Sequence, residues 1–351
     1  MWQIQVEAMM EFLLGLLHTP SPIGYHKESN AYVKEAFGQF SDLQLTELPK
    51  GTLVYRWAGE QNTPARALSA HTDTLGFLVR EIKDSGRLKL SPLGGINWSG
   101  AENENVTVRT QNDDRIRGTL ILVNPSTHVN QDAKTAQRNE HTMEVRLDVP
   151  TTTAEETREL GIQVGDFVFI DPRVEQVATG YLRSRFLDDK ACVAALFAAI
   201  SALQRAGLKP ARDTYLHISN YEEHGAHGGA AGIPAAVTEF LCLDMAAIGE
   251  GQASSEHQVS LCVKDASGPY HFDLNNKLRR IARENQITLI NDIYSFYSSD
   301  GSAYWRAGGQ GRVALIGPGV ASSHGYERTH RDALLDTTRL IAAYLLDPHD
   351  D

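Results

Sequence analysis

Acids and histidines stand just past the ends of apolar runs in this chain. Asp188 and Asp189 precede the alanine-rich ACVAALFAAISAL. Glu222 and Glu223 follow TYLHISN, Asp244 closes VTEFLCLD, His71 follows ARALSA, and His324 lies in a polar loop after VALIGPG. An open α/β sheet carries its ligands beyond the carboxyl ends of its strands. Several carboxylates with two histidines are what a pair of borderline or hard divalent ions requires. Plainer readings exist for single members. Asp188 and Asp189 also read as an acidic helix cap, Glu222–Glu223 as a solvated turn, and His330 is a rival to His324. Asp244, between LCL and MAA, would be costly without a partner. His71 and Asp73 are two apart, so on an extended strand they share a face and the carboxylate can orient the imidazole. Glu222 and Glu223 are adjacent and cannot share a face; one suits metal ligation and the other proton transfer.

The elements that must position these groups follow a broken rhythm. Residues 3–17 and 26–38 read as helices, GTLVYRWAG as a strand, Asn62-Thr-Pro as a turn, and 65–70 as the strand that delivers His71. Between 76 and 177 helical periodicity fades. Short alternating runs appear instead: FLVREI, RLKLSPL, NVTVRT, IRGTLILV, HTMEVRLDV and DFVFI. This predicts a small β-barrel or sandwich with one short helix at 153–161. The polar run 124–141 reads as an exposed loop without core residues. From 178 the α/β alternation resumes: helix 190–206, strand 214–220, a glycine-rich loop at 225–232, strands 239–244 and 258–263, helix 274–285, strands 286–290 and 313–316, and a closing helix 331–346. The expectation is one catalytic domain from 1–75 and 178–351, interrupted by a β domain at 76–177.

The chain has 351 residues, 42% of them apolar, enough for one large core or two domains. Its net charge of −11 and lack of a basic stripe argue against a nucleic-acid partner. No apolar run reaches the length of a membrane span. The first residues lack the basic start and apolar core of a signal peptide. Cys192, Cys242 and Cys262 match no disulfide or zinc framework, so a reducing, cytoplasmic setting is expected.

Taken together, HTDTLG (71–76), FLDDK (186–190), YEEHGAHGGA (221–230), CLDMA (242–246), SSDGSA (298–303) and SSHGYE (322–327) form an ordered set. PLGG (92–95), GTLILV and LGIQVGD (160–166) mark the insert. The set resembles the TET-type aminopeptidases, metallopeptidase family 42, within the clan of co-catalytic dizinc exopeptidases. The resemblance implies a mixed-sheet α/β catalytic domain with helices on both faces, interrupted by a PDZ-like β-barrel used in assembly. It implies two divalent ions, Zn2+ first and Co2+ second. His71 and Asp244 would be terminal ligands of one ion, Glu223 and His324 of the other, and Asp188 the bridge. Glu222 would be the general base, Asp73 the carboxylate orienting His71, and Asp189 a supporting residue. Thr74 departs from the family's usual Glu, and His224 and His227 add histidines where the family has few. The implied substrates are short peptides, and the implied assembly is a tetrahedral homododecamer, with a dimer as alternative. HTDTLG and RSRFLDDK are also similar to a branch linked to acetylated dipeptide-amide osmolytes, which implies an amidohydrolase or dipeptidase as a second reading. A non-catalytic assembly or peptide-binding protein is a third.

Overall fold

The computed structural model describes residues 2–224 and 232–349. Two helices, α1 (Val6–His18) and α2 (Lys27–Phe37), lead into strands β1 (Leu43–Glu47), β2 (Leu53–Trp57) and β3 (Gln61–His71). The chain then enters β4 (Gly76–Ile82), β5 (Leu88–Leu93), a single helical turn α3 (Trp98–Ala101), β6 (Asn105–Arg109), β7 (Arg115–Leu122), β8 (Met143–Leu147), helix α4 (Ala154–Glu159) and β9 (Phe167–Ile170). It returns through β10 (Glu175–Gln176) and β11 (Tyr181–Ser184) to helix α5 (Leu187–Arg205) and β12 (Arg212–Ser219). Strands β13 (Val237–Leu243), β14 (Ala246–Ile248), β15 (Val259–Asp265) and β16 (Gly268–Pro269) precede helix α6 (Phe272–Glu284). Strand β17 (Leu289–Ile293), helix α7 (Asp300–Arg306), β18 (Arg312–Ala321), β19 (Glu327–His330) and helix α8 (Arg331–Leu346) complete the described chain.

Strands β4 to β9 close into a six-stranded barrel in the order β4-β5-β8-β7-β6-β9. Alternate residues point inward, among them Val106, Val108, Leu120, Leu122, Met143 and Val145, and form a core of their own. Closure leaves no open strand edge. The other strands form one mixed 13-stranded sheet whose main path is β1-β2-β12-β3-β13-β18-β19-β11-β10. The neighbours β12, β3, β13 and β18 run parallel. Their period-two alternation divides two cores. Leu68, Leu241, Leu243 and Ile316 face α5 and α8, while Ala67, Phe240, Cys242 and Leu315 face α7. Helix α5 is apolar all round because it is covered by the sheet, α1 and α8; Ala191 to Ile200 are buried without exception.

The sequence expectations differ from the structure in three places that have physical reasons. Asn62-Thr63-Pro64 is not a turn: it lies inside β3, within a register shift against β12 and just ahead of one against β13, and a bulge is where a strand accepts proline. The run 124–141 is not without core residues, since a 3-10 turn at Gln131–Lys134 buries Ala133 in the barrel core. Helix α5 begins at Leu187, not 190, but Asp188 and Asp189 hold non-helical backbone angles ahead of its regular part. The glycine-rich loop expected at 225–232 lies, apart from Gly232, outside the described residues.

Candidate metal centre

The parallel strands deliver the candidate residues to one edge. His71 ends β3, Glu222 and Glu223 follow β12, Asp244 follows β13, and His324 follows β18. Asp188 arrives from the start of α5, across the same edge. This is the carboxyl end of the parallel segment, where diverging loops leave a crevice. A cavity of about 390 Å³ opens there, with Asp188, Glu222, Glu223, Asp244 and His324 in its lining and Met245, Phe296 and Tyr297 on its apolar wall.

Two groups of donor atoms meet in this crevice. His71, Asp188 and Asp244 each offer a ligand atom within 4.8 Å of the others, and Asp188, Glu223 and His324 do the same. Asp188 belongs to both groups. The histidines are held alike. His71 Nδ1 lies 3.0 Å from the main-chain oxygen of Asp73, and His324 Nδ1 lies 2.9 Å from that of Gly95. A carbonyl can only accept, so each Nδ1 carries a proton and each ring turns its Nε2 into the crevice. There His71 Nε2 lies 3.2 Å from Asp188 Oδ1, and His324 Nε2 lies 3.3 Å from Glu223 Oε2.

A lone pair aimed at a carboxylate is repulsive unless a cation or a proton stands between them. Among the described residues, the buried His71 Nε2 has no hydrogen-bond partner. Burial opposes charging of the imidazoles, yet the facing carboxylates raise both, His324 to about 10. Burial pushes the Asp189, Asp244 and Glu222 carboxyls well above the usual range, and neighbouring carboxylates add to the shift. So many buried carboxyl groups, costly to ionise without a cation, with two imidazole Nε2 atoms turned toward them fit divalent cations of the borderline class.

Around the donors, other groups fix the backbone. The Asp73 carboxylate accepts from the amides of Glu222 (3.2 Å) and Glu223 (3.1 Å), and its Oδ1 is 3.6 Å from His71 Nδ1. The nearer contact to that imidazole is therefore Asp73's own carbonyl. Asp189 Oδ2 accepts from the His71 amide at 3.3 Å. Glu222 Oε2 lies 3.9 Å from His71 Nε2, beside the donors. Thr74 is buried, with its hydroxyl on the Leu75 carbonyl at 3.3 Å. His224 is exposed, edge-on to Tyr221, and does not line the cavity; His227 lies outside the described residues. His330, the rival to His324, caps α8 instead: its Nδ1 accepts from the Asp332 amide at 3.2 Å. Two residues had no role assigned from sequence. Asp300 of SSDGSA accepts from the buried hydroxyls of Ser69 and Ser219 at 3.1 and 2.5 Å. Glu327, the last residue of SSHGYE, is buried against Asp188 and His324. The motif was visible in both cases, but burial of its acid was not.

A mixed sheet with this crevice, a separate barrel and two donor groups sharing one carboxylate is consistent with a dimetal site. The chain belongs to the M42 glutamyl aminopeptidase family, whose sequence profile matches residues 51–340. It is 41% identical over 343 residues to the Bacillus subtilis protein YhfE, which carries an aminopeptidase name, covering 98% of this chain and 99% of that one. Two solved structures share the fold. A TET aminopeptidase from a marine-sediment Thaumarchaeota archaeon superposes with a TM-score of 0.86 at 21% identity, covering 97% of this chain and 96% of its own. The TET1 peptidase of Pyrococcus horikoshii gives 0.84 at 22% identity, covering 97% and 99%. Family and fold are those of metal-dependent aminopeptidases, and the donor groups are consistent with their dimetal chemistry.

Proposed function

We propose that this protein is an aminopeptidase that uses two divalent ions, Zn2+ foremost and Co2+ as a substitute, to release the N-terminal residue of short peptides. The carrying observation is that Asp188 stands in both donor groups with Glu222 beside it. His71 and Asp244 would hold one ion, Glu223 and His324 the other, and Asp188 both. When bound, the ions supply Lewis acidity toward the scissile carbonyl and charge stabilisation at its oxygen.

The chain's own residues do the remaining work. Glu222 accepts a proton from the attacking water and passes it to the leaving amine. Burial raises its proton affinity above that of a solvated glutamate, which suits a group that must both take and give at neutral pH. Asp73 keeps Glu222 and Glu223 in register through their amides. The acidic crevice attracts a free α-amino group, which restricts attack to the first peptide bond. Met245 and Tyr297 exclude water from one side.

The barrel, whose strands span 76–170, is proposed as the assembly module inserted between the two parts, 1–75 and 178–351, of a discontinuous catalytic domain. The Pyrococcus horikoshii TET1 peptidase assembles into a tetrahedron or a large octahedral shell. A tetrahedral dodecamer is proposed here, with a dimer as its building block. Light scattering should then give about 460 kDa for twelve chains of 38.6 kDa, and a persistent monomer contradicts it. No described helix is long and apolar enough to cross a membrane; a cytoplasmic location is part of the proposal.

The test is a panel of unblocked di- to octapeptides, their N-acetylated counterparts and acetylated dipeptide amides. Unblocked peptides should lose their first residue, lose reactivity after chelation, and regain it with Zn2+ or Co2+. A preference for the acetylated dipeptide amides favours the osmolyte reading instead. No turnover with metal demonstrably bound points to a non-catalytic binding protein.

A further inference from the structure

Glu327 opens β19, where it pairs with Ser184 of β11. It is 2% exposed. A carboxylate so deeply buried is costly unless its lone pairs are met. Two main-chain amides meet them: the Asp188 amide donates to Oε2 at 3.2 Å, and the His324 amide donates to Oε1 at 3.3 Å. One side chain thus spans two segments 136 residues apart in sequence and ties the backbones of two donor residues to each other.

Both segments need such a tie. His324 has φ 61, the left-handed region that a residue with a Cβ adopts at a cost, and Ser322 before it has φ 60. Phe186, two residues before Asp188, has φ 70. Neither stretch is held in a regular helix or strand where its donor sits. Asp73 plays the matching part for Glu223, accepting from its amide at 3.1 Å. All three members of the Asp188, Glu223 and His324 group therefore have their amides on buried carboxylates. In the His71, Asp188 and Asp244 group, Glu327 reaches only the shared member.

We propose that Glu327 is a positioning residue that fixes Asp188 against His324 and thereby sets the affinity of the ion those two hold with Glu223. The inference rests on the two-ion reading above. Glu327→Gln keeps the shape but offers one acceptor oxygen and one NH2 group, so one of the two amides faces a donor.

The test is a titration of metal-free protein with Zn2+ against a chromophoric chelator, repeated with Co2+ while its visible absorption is recorded. Wild type should bind two ions. E327Q should bind the ion held with His324 and Glu223 about 10–100-fold more weakly and the ion on His71 and Asp244 by a smaller factor, because Asp188 serves both, with altered absorption for the weakened Co2+ equivalent. Thr329→Val, which removes the hydroxyl bonded to the Gly319 carbonyl at 2.7 Å on the same strand, controls for general loosening and should leave both affinities unchanged. Glu327→Asp, with both oxygens on a shorter stem, should show a smaller shift and serves if E327Q does not fold. Wild-type affinity for both ions in whichever of these two Glu327 variants folds overturns the inference, as does an equal shift in Thr329→Val. A wild-type chain that binds fewer than two ions overturns the two-ion reading itself, before any substitution is compared.

Discussion

His71 and His324 turn their Nε2 atoms toward opposite oxygens of a single carboxylate. Asp188 Oδ1 lies 3.2 Å from the first and Oδ2 lies 3.7 Å from the second. Asp188→Asn would leave one acceptor oxygen and no charge where both donor groups meet. Both ions should then bind more weakly, by at least about 10-fold each. His71→Ala should weaken chiefly one. Metal content after dialysis against a buffered Zn2+ concentration checks this; D188N retaining two tightly held ions would contradict the shared role.

Stability and site occupancy should separate at the far end of the same strands. Glu239 of β13 is 2% exposed and meets Arg66 Nε at 3.0 Å, Lys277 Nζ at 3.0 Å, Arg312 Nη2 at 2.8 Å and the Tyr344 hydroxyl at 2.9 Å. Removing one member of a buried charge network strands the others, at a cost of about 3–5 kcal/mol. Glu239→Ala should lower the urea midpoint accordingly while folded protein keeps its metal content. An unchanged midpoint would contradict this.

Tyr25 supplies a pH signature at the junction of barrel and catalytic domain. Its ring packs against Phe167 and Phe169 of β9, and its hydroxyl donates to Glu28 at 2.6 Å. Burial, helped by the Glu28 carboxylate, pushes the phenol up to about 12 from an ordinary 10. The folded state therefore keeps a proton that the unfolded state releases first. This contribution is complete below pH 10 and is lost as pH rises toward 12. Denaturant unfolding at pH 9 and pH 11 should show a steeper loss in wild type than in Tyr25→Phe. Equal losses would contradict the assignment.

Much of this arrangement was legible in the sequence because the site strands are buried on both faces. ARALSA, TYLHISN and VTEFLCLD are apolar runs whose ends are marked by abrupt acids or histidine, and parallel central strands read that way. The barrel announced itself through alternation, as in NVTVRT and HTMEVRLDV. What stayed hidden depended on contacts distant in sequence. ERTH and YLRS are short and polar, and become β19 and β11 by pairing with each other and with β18 and β10. The placement of β12 between β2 and β3 has no local signal. Pro64 looks like a turn residue until both neighbours of β3 shift register beside it. Glu327 reads as a loop acid, and its importance comes from two amides that fold onto it from elsewhere.

The adjacent pair Glu222 and Glu223 tests the central claim most directly. In the proposed mechanism Glu223 holds a metal and Glu222 carries a proton. Metal content and peptide turnover should be measured on the same samples of wild type, Glu222→Gln and Glu223→Gln, at matched Zn2+. Glu222→Gln should retain two ions per chain while its turnover falls by about 10²–10⁴, and Glu223→Gln should bind one ion more weakly. Near-normal turnover in Glu222→Gln, or equal metal loss in both variants, would contradict the account.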